Sequence, residues 1–159
     1  MLKPANRQMF SHFRRLFPAQ TPAAITNGPG GSVWVAAAPN DSPVMNLVVP
    51  ELDSHLAFRL SVPGQPSNRW DVIGLLLPPW AMYISAVGWA WTAQGHSVPG
   101  LHTVPGLDAV IHTQGGIQEG FVWETGLAFA AVWQDIGAYP QPAGGLLGLM
   151  TQVRGYFRG

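Results

Sequence analysis

The chain has 159 residues, no cysteine and a formal net charge of zero; 47% of its residues are hydrophobic and only 10% are charged. This composition excludes a disordered chain, a disulfide framework and a body that binds nucleic acid through a basic field. The 84 residues from Trp70 to Val153 contain no Lys or Arg. Because a free monomer needs interspersed charge to stay soluble, we expect other copies, another protein or a membrane to cover part of this surface.

The first 17 residues carry the clearest helical pattern. From Asn6 to Phe17 apolar residues recur every three to four positions, Arg and His take the other side, and Pro18 ends the helix. Residues 18–32 are rich in Pro and Gly, which predicts a basic arm over 1–31 and a separate body over 32–159. We expect the arm to contact a neighbouring subunit, with a membrane surface or nucleic-acid phosphates as alternatives. Its predicted contact residues are Met9, Phe10, Phe13, Arg14, Arg15, Leu16 and Phe17.

The body consists of short apolar runs separated by Pro- and Gly-rich turns. Many short strands at this spacing predict an all-β protein, an antiparallel β-sandwich or jelly roll, with the short amphipathic helix confined to the arm. The predicted strands are Ser32–Ala38, Met45–Val49, Leu56–Val62, Trp70–Leu77, Ala81–Thr92, Leu107–Thr113, Ile117–Glu124, Leu127–Trp133 and Leu146–Phe157.

The segment Ala81–Thr92 is apolar at both odd and even positions. This pattern favours a central strand covered on both sides, with the large rings of Tyr83, Trp89 and Trp91 forming an aromatic interface. The longer stretch Val72–Thr92 is uncharged and long enough to span a membrane. Pro78-Pro79 in its middle argues against a spanning helix, because paired prolines break one.

Three histidines, His96, His102 and His112, lie within 17 residues of one another, with Asp108 and Glu119 close by in the chain. Neutral imidazoles and carboxylates are possible metal ligands, but their spacing matches no metal-binding motif. Loop histidines with polar partners are the favoured explanation. We therefore expect no metal site and no cofactor.

The sequence contains no recognisable motif of catalytic residues. Asp53-Ser54-His55 has the residue types of a hydrolase triad, but adjacent residues cannot reach the required mutual geometry. Glu119 and Glu124 have the types of a glycosidase acid–base pair, but on a regular strand they would point to opposite faces. We therefore expect a protein that is not an enzyme and has no catalytic residue.

Seven tryptophans offer two interpretations. Exposed indoles would make a stacking platform for sugars, whereas buried ones would pack a core or a subunit interface. Packing is favoured because most of them lie inside apolar runs. They are Trp34, Trp70, Trp80, Trp89, Trp91, Trp123 and Trp133.

The layout of a basic arm over 1–31 followed by a charge-poor body over 32–157 resembles small β-rich structural proteins of virus particles. These include jelly-roll minor capsid proteins, spike proteins and phage capsid decoration proteins. The run Gly145–Val153 looks like the closing strand of such a barrel. The resemblance implies a bacteriophage virion protein that forms a homo-oligomer and binds a major capsid or other shell protein. The alternatives are a carbohydrate-binding β-sandwich that uses exposed Trp and, third, a membrane-associated protein.

Overall fold

One mixed five-stranded sheet organises the chain in the computed structural model, which describes residues 4–114 and 120–158. The strand order is β1-β2-β5-β3-β4; β3 and β5 run parallel and the other neighbours antiparallel. The elements are α1 (Pro4–Leu16), β1 (Ala24–Asn27), β2 (Val33–Pro39), β3 (Val44–Val49), a 3-10 turn (Pro50–Leu52), β4 (Ser54–Arg59), α2 (Pro79–Ala93), β5 (Leu107–Thr113), α3 (Phe121–Gly137) and α4 (Gly145–Arg158).

The sheet is covered by helices on both faces. The larger core lies between one face and the α2, α3 and α4 helices, which also pack on one another. On the opposite face, α1 buries Met9 and Phe13 against Ala36, Ala38 and Val110. Alternation of side chains along β2 and β5 separates these two cores, because successive residues of a strand point to opposite faces.

The prediction of an all-β sandwich or jelly roll is wrong, and the fold is mixed α/β. The predicted strands Ala81–Thr92, Leu127–Trp133 and Leu146–Phe157 lie within α2, α3 and α4. In α2 and α3 the apolar residues continue around the helix, and a helix of this kind has no amphipathic stripe to distinguish it from a buried strand. Pro79 occupies the start of α2, where a proline is favoured because its missing N–H needs no helical partner.

The sequence pattern located the sheet better than the helices. Ser32–Ala38, Met45–Val49 and Leu107–Thr113 coincide with β2, β3 and β5 to within one residue. The predicted strand Leu56–Val62 overlaps β4, whereas Trp70–Leu77 makes only the isolated bridge between Trp70 and Leu76. Within Ile117–Glu124, residues 117–119 lie outside the described residues, and α3 begins at Phe121.

The predicted N-terminal helix is confirmed, and its apolar face packs on the chain's own sheet. The segment expected to be a linker, 18–32, contains β1, which pairs with β2. The predicted boundary at residue 31 therefore falls between two paired strands of one sheet. Within the described part of the chain, no helix has the length and apolar character needed to cross a membrane.

Candidate functional site

A cleft of about 790 Å³ lies between α1 and the adjacent end of the sheet. On α1, the lining positions Gln8, His12 and Arg15 follow i, i+4 and i+7 spacing beside the buried Met9 and Phe13, so docking of the helix turns them toward the cleft. The remaining walls come from β2, the 3-10 turn and the end of β5. The cleft is lined by Arg7, Gln8, Met9, Ser11, His12, Arg15, Trp34, Glu51, His112 and Gln114.

A chain of hydrogen bonds joins three of these side chains. Nδ1 of His12 lies 2.5 Å from Nε2 of His112, and Nδ1 of His112 lies 2.7 Å from Oε1 of Glu51. The backbone N–H of Thr113 also donates to Oε1 of Glu51 over 3.1 Å. Two histidines on different elements are thus oriented by one carboxylate, in the way that a third group orients a general base.

The donors in this chain can be assigned for neutral rings. With Glu51 ionised, His112 donates its Nδ1–H to the carboxylate and accepts at Nε2 the Nδ1–H of His12. Because a neutral imidazole has one donor and one acceptor nitrogen, Nε2 of His12 keeps its lone pair. His12 is then a proton acceptor on the wall of the cleft.

The surroundings of His12 favour its neutral form. Partial burial lowers the pKa of His12 below its ordinary value of 6.5, and the neighbouring His112 and Arg15 lower it further. Glu51 opposes this shift and raises the pKa. A lowered pKa leaves the ring uncharged near neutral pH, which is the state a general base requires.

The cleft is positively charged at its rim and contains an aromatic face. Arg7 and Arg15 are exposed on α1, and Trp34 is half-buried on β2. Among the described lining residues Glu51 is the carboxylate, and it is already bonded to His112 and Thr113. The site therefore offers guanidinium donors to an anion and an indole face to an apolar ring surface.

Asp108 lies on the same face of the sheet but is fully engaged. The Nδ2 groups of Asn40 and Asn46 donate to its Oδ1 over 2.9 and 2.8 Å, and Gln20 donates to its Oδ2. These amides satisfy a buried carboxylate, which would otherwise be costly. Through these hydrogen bonds Asp108 links β5 to the β2–β3 turn and to the segment that follows α1.

The histidines that the sequence placed close together are dispersed in the fold. His96 stacks on Tyr139 with ring centroids 4.1 Å apart, and His102 is exposed on a loop. His112 alone of the three lines the cleft, and Glu119 lies outside the described residues. Within 4–114 and 120–158, no group of three or more His, Asp or Glu side chains is placed to hold a metal ion.

Glu124, considered above as one half of an acid–base pair, holds a loop in place. Both of its carboxylate oxygens accept the backbone N–H of Gly30, over 2.8 and 2.9 Å, at the first turn of α3. Gly28 approaches the same side chain so closely that an added Cβ would lie 2.0 Å from Oε2. A larger residue at position 28 would therefore displace the Glu124 carboxylate from its hydrogen bonds to Gly30.

The residues of the predicted aromatic interface, Tyr83, Trp89 and Trp91, lie on the α2 helix and not along one strand face. Trp91 is fully buried and donates its Nε1–H to the carbonyl of Ala130 over 3.2 Å. Tyr83 and Trp89 are half-buried and pack their rings against Phe157 and Tyr156 of α4, respectively.

The predicted contact residues of the arm have different surroundings. Met9 and Phe13 are buried in the chain's own core, and Phe10 and Phe17 are half-buried. The exposed Arg14, Arg15 and Leu16 are the members still available to a neighbour, and that contact stays a prediction. Arg14 also donates to the Thr21 hydroxyl over 2.8 Å.

His12 and Glu51 were not predicted as site residues, and Trp34 was considered only as one of seven tryptophans that could stack on a sugar. His12 and His112 are 100 positions apart, and Glu51 and His112 are 61 apart. No spacing rule links residues that far apart. The available signal was indirect, in that Gln8, His12 and Arg15 form a polar stripe beside the apolar side of α1.

Comparison with protein-family models finds no match, and no curated protein matches the sequence. Among solved structures, the galactokinase of Lactococcus lactis complexed with galactose is similar, with a TM-score of 0.64 and 12% sequence identity. The match covers 94% of this chain and 42% of the galactokinase chain, so this protein spans less than half of that enzyme's length. At this identity the similarity shows a shared fold alone.

The shared fold corrects two expectations. The jelly-roll fold expected from the resemblance to virion proteins is wrong, because the chain has an α/β fold found in a galactokinase. The expectation of a non-enzymatic protein is contradicted only at the level of the fold, because a solved structure with this fold is an enzyme. The expectation of a non-enzymatic protein rested on the lack of a catalytic motif in the sequence. A search for motifs cannot reveal a site whose residues come from distant segments of the chain.

Proposed function

We propose that this protein binds a sugar with an anionic substituent in the cleft beneath α1 and that His12 accepts a proton from a ligand hydroxyl. The observation that carries the proposal is the chain from His12 through His112 to Glu51 on the wall of a cleft of about 790 Å³. Cavities of this size accommodate small molecules.

The chemistry of the walls supports this ligand class. The indole of Trp34 offers a flat apolar surface of the kind that packs on a sugar ring, while His12 and Gln114 offer polar groups for hydroxyls. Arg7 and Arg15 favour a phosphate or carboxylate, which a guanidinium can bind through two parallel hydrogen bonds. The galactose bound by the galactokinase of similar fold agrees with a sugar ligand.

The proton has a defined route. It leaves the ligand hydroxyl and joins Nε2 of His12, so that the ring becomes an imidazolium and the ligand oxygen keeps the electron pair of the broken O–H bond. The hydrogen bonds from Nδ1 of His12 to His112 and from Nδ1 of His112 to the Glu51 carboxylate stay in place, and no second proton moves. The negative charge of Glu51 stabilises the new positive charge through the intervening ring, the role that an orienting carboxylate has behind a histidine base.

The test is titration calorimetry with galactose, galactose 6-phosphate and inorganic phosphate. Galactose 6-phosphate should bind more tightly than either of the other two, and Arg15→Gln should weaken its binding about tenfold, the equivalent of one charge-assisted hydrogen bond. Trp34→Leu should weaken binding of both sugars.

His55→Gln is the matched control for His112→Gln, because His55 is an exposed histidine on β4 that does not line the cleft. His112→Gln should weaken sugar binding and His55→Gln should not. The proposal would be contradicted if none of the three probes bound saturably. It would also be contradicted if the Trp34→Leu protein bound both sugars as tightly as the unmodified chain does. Location in a virus particle and a shell protein as partner stay predictions of the sequence pattern.

A further inference from the structure

The loop between β4 and α2 exposes an unusual concentration of large apolar side chains. Five of its seven residues are apolar and more than half exposed, and we name this segment, residues 70–76, the apolar knob. The exposed fractions are 55% for Trp70, 63% for Val72, 76% for Ile73, 61% for Leu75 and 59% for Leu76. Contiguous exposure of this kind marks an interaction surface.

Hydrogen bonds within the segment hold the apolar knob in a turn. The Asp71 carboxylate accepts the N–H groups of Ile73 and Leu75 over 3.0 and 2.8 Å, and the Asp71 N–H donates to the Leu75 carbonyl over 2.8 Å. Gly74 takes a φ of +89° at the turn, a conformation that favours glycine. The apolar side chains are thus exposed by an ordered turn, which lowers the entropy cost of binding.

A hollow lies directly beside the apolar knob. It has a volume of about 320 Å³. Its walls combine apolar, polar and charged side chains and share three residues with the knob; they include Arg59, Val62, Gln65, Pro66, Asn68, Trp70, Asp71 and Val72. A projection beside a recess on one surface is the arrangement that a two-fold contact requires, because each copy then supplies a projection to the other copy's recess.

The apolar knob also occupies part of the free edge of the sheet. The Val72 N–H donates to the Ala57 carbonyl over 2.9 Å, and the Asn68 side chain donates to the Arg59 carbonyl over 2.8 Å. These are outward-facing carbonyls of the edge strand β4. A partner therefore meets side chains of the knob at this position, and addition of a further strand is blocked there.

We propose that the apolar knob of one copy inserts into the hollow of a second copy, forming a two-fold dimer of this chain. Side chains exposed to this degree present on the order of 500 Å² per copy, so a symmetric contact buries on the order of 1,000 Å², about the lower limit of a specific interface. The zero net charge of the chain adds no long-range repulsion between copies. Arg59 lines the hollow and Arg69 precedes the knob; both are exposed, and their long side chains can keep the guanidinium groups in water while their stems contact the partner.

This inference is independent of the proposed sugar site. The first experiment is sedimentation velocity on the full chain from about 1 µM to about 200 µM. We expect a concentration-dependent species of twice the 17.1 kDa monomer mass. The double variant Ile73→Ser, Leu75→Ser should weaken the dimer at least about tenfold without unfolding, because both side chains are exposed. Leu147→Ser, at an equally exposed leucine on α4, is the matched control and should leave the dimer unchanged.

The second experiment uses the absence of cysteine in the chain. Two single variants, Ile73→Cys and Gln65→Cys, are mixed and oxidised. We expect a disulfide between the two chains, because the tip of one knob approaches the hollow of its partner. The mixture of Ile73→Cys with Leu147→Cys should stay uncross-linked.

Three outcomes would overturn the proposal. They are a monomer throughout the concentration range, a dimer equally strong in the double serine variant, and failure of Ile73→Cys to cross-link more with Gln65→Cys than with Leu147→Cys. Pelleting of monomer with vesicles of phosphatidylcholine and phosphatidylserine, lost in the double serine variant, would assign the knob to a membrane surface instead.

Discussion

The two faces of the central sheet differ in how completely they are covered. Val35, Leu47 and Ile111 point toward α2 and α3 and are fully buried in the larger core. On the other face the same strands carry Trp34, Asp108 and His112, and α1 contributes only two buried side chains to the smaller core. The difference indicates that one face supplies stability, while the other keeps polar groups accessible.

The small side chains of Ala36 and Ala38 explain how one short helix leaves a cleft. They let α1 approach the middle of the sheet through Met9 and Phe13, while the larger Trp34 and the polar His112 stand at the end. Apolar packing at this end of the sheet would close the cleft. The polar groups there are partly buried, and the hydrogen bonds among them offset the cost of that burial.

The largest effect should come from Trp133 of α3, in the larger core. Its ring is fully buried, and its Nε1–H donates to the Pro105 carbonyl over 2.9 Å. Trp133→Ala should lower the free energy of unfolding by about 3–5 kcal/mol, because the lost contacts leave a cavity. Urea unfolding measures this loss.

Trp133→Phe is the matched control, since it keeps a ring but removes the hydrogen bond, and it should cost markedly less than the alanine variant. A loss below about 1 kcal/mol for Trp133→Ala would show that the larger core is not the main source of stability.

A smaller loss is expected at Phe13, although its side chain is also fully buried. Phe13→Ala should cost about 2 kcal/mol, because α1 can detach while the sheet and the other helices stay folded, and this local opening limits the loss. Hydrogen exchange should accelerate in α1 and stay slow in α3. The half-buried Phe10, outside the smaller core, provides the control Phe10→Ala. Equal acceleration in both helices would mean that the two faces unfold as one unit.

The smallest effect should be a pH dependence centred on His12. Because the pKa of His12 is lowered below 6.5 in the fold, the unfolded chain takes up this proton first as the pH falls. Stability should therefore decrease as the pH drops through about 6.5 and below, and His12→Gln should flatten this decrease. Urea midpoints measured between about pH 8 and about pH 5.5 test this.

His102→Gln is the control, because His102 is an exposed loop histidine. It should retain the pH dependence of the unmodified chain. An unchanged pH dependence in His12→Gln would assign the effect to another titrating group and remove the support for a neutral His12 in the cleft.

The expectation of self-association came from the uncharged stretch from Trp70 to Val153. The structure accounts for most of that stretch inside the chain, because α2, β5 and α3 are largely buried. The apolar knob is the part of it that remains strongly exposed, together with Trp123 and Leu147 on the helical side. Composition therefore indicated that the protein has an exposed apolar surface. The location of that surface depended on which segments are buried in the core.

The sequence by itself determined the strands β2, β3 and β5 and the helix α1. Each strand is a short β-forming run bounded by Pro, Gly or Asn, and α1 has a one-sided apolar stripe that stops before Pro18. These are local signals, since backbone preference and side-chain periodicity act over a few residues.

The tertiary structure alone decided the helical state of α2 and α3 and the existence of the cleft. Those two helices are surrounded by other elements, so their apolar residues follow no single face, and packing selects helix over strand. The α4 helix differs, because its buried residues Leu149, Met150, Val153 and Tyr156 follow the spacing of one helix face. The cleft joins His12, Glu51 and His112 across separations of 61 and 100 residues. Contacts over such distances depend on how the sheet orders its strands and where α1 docks, and no local pattern encodes either choice.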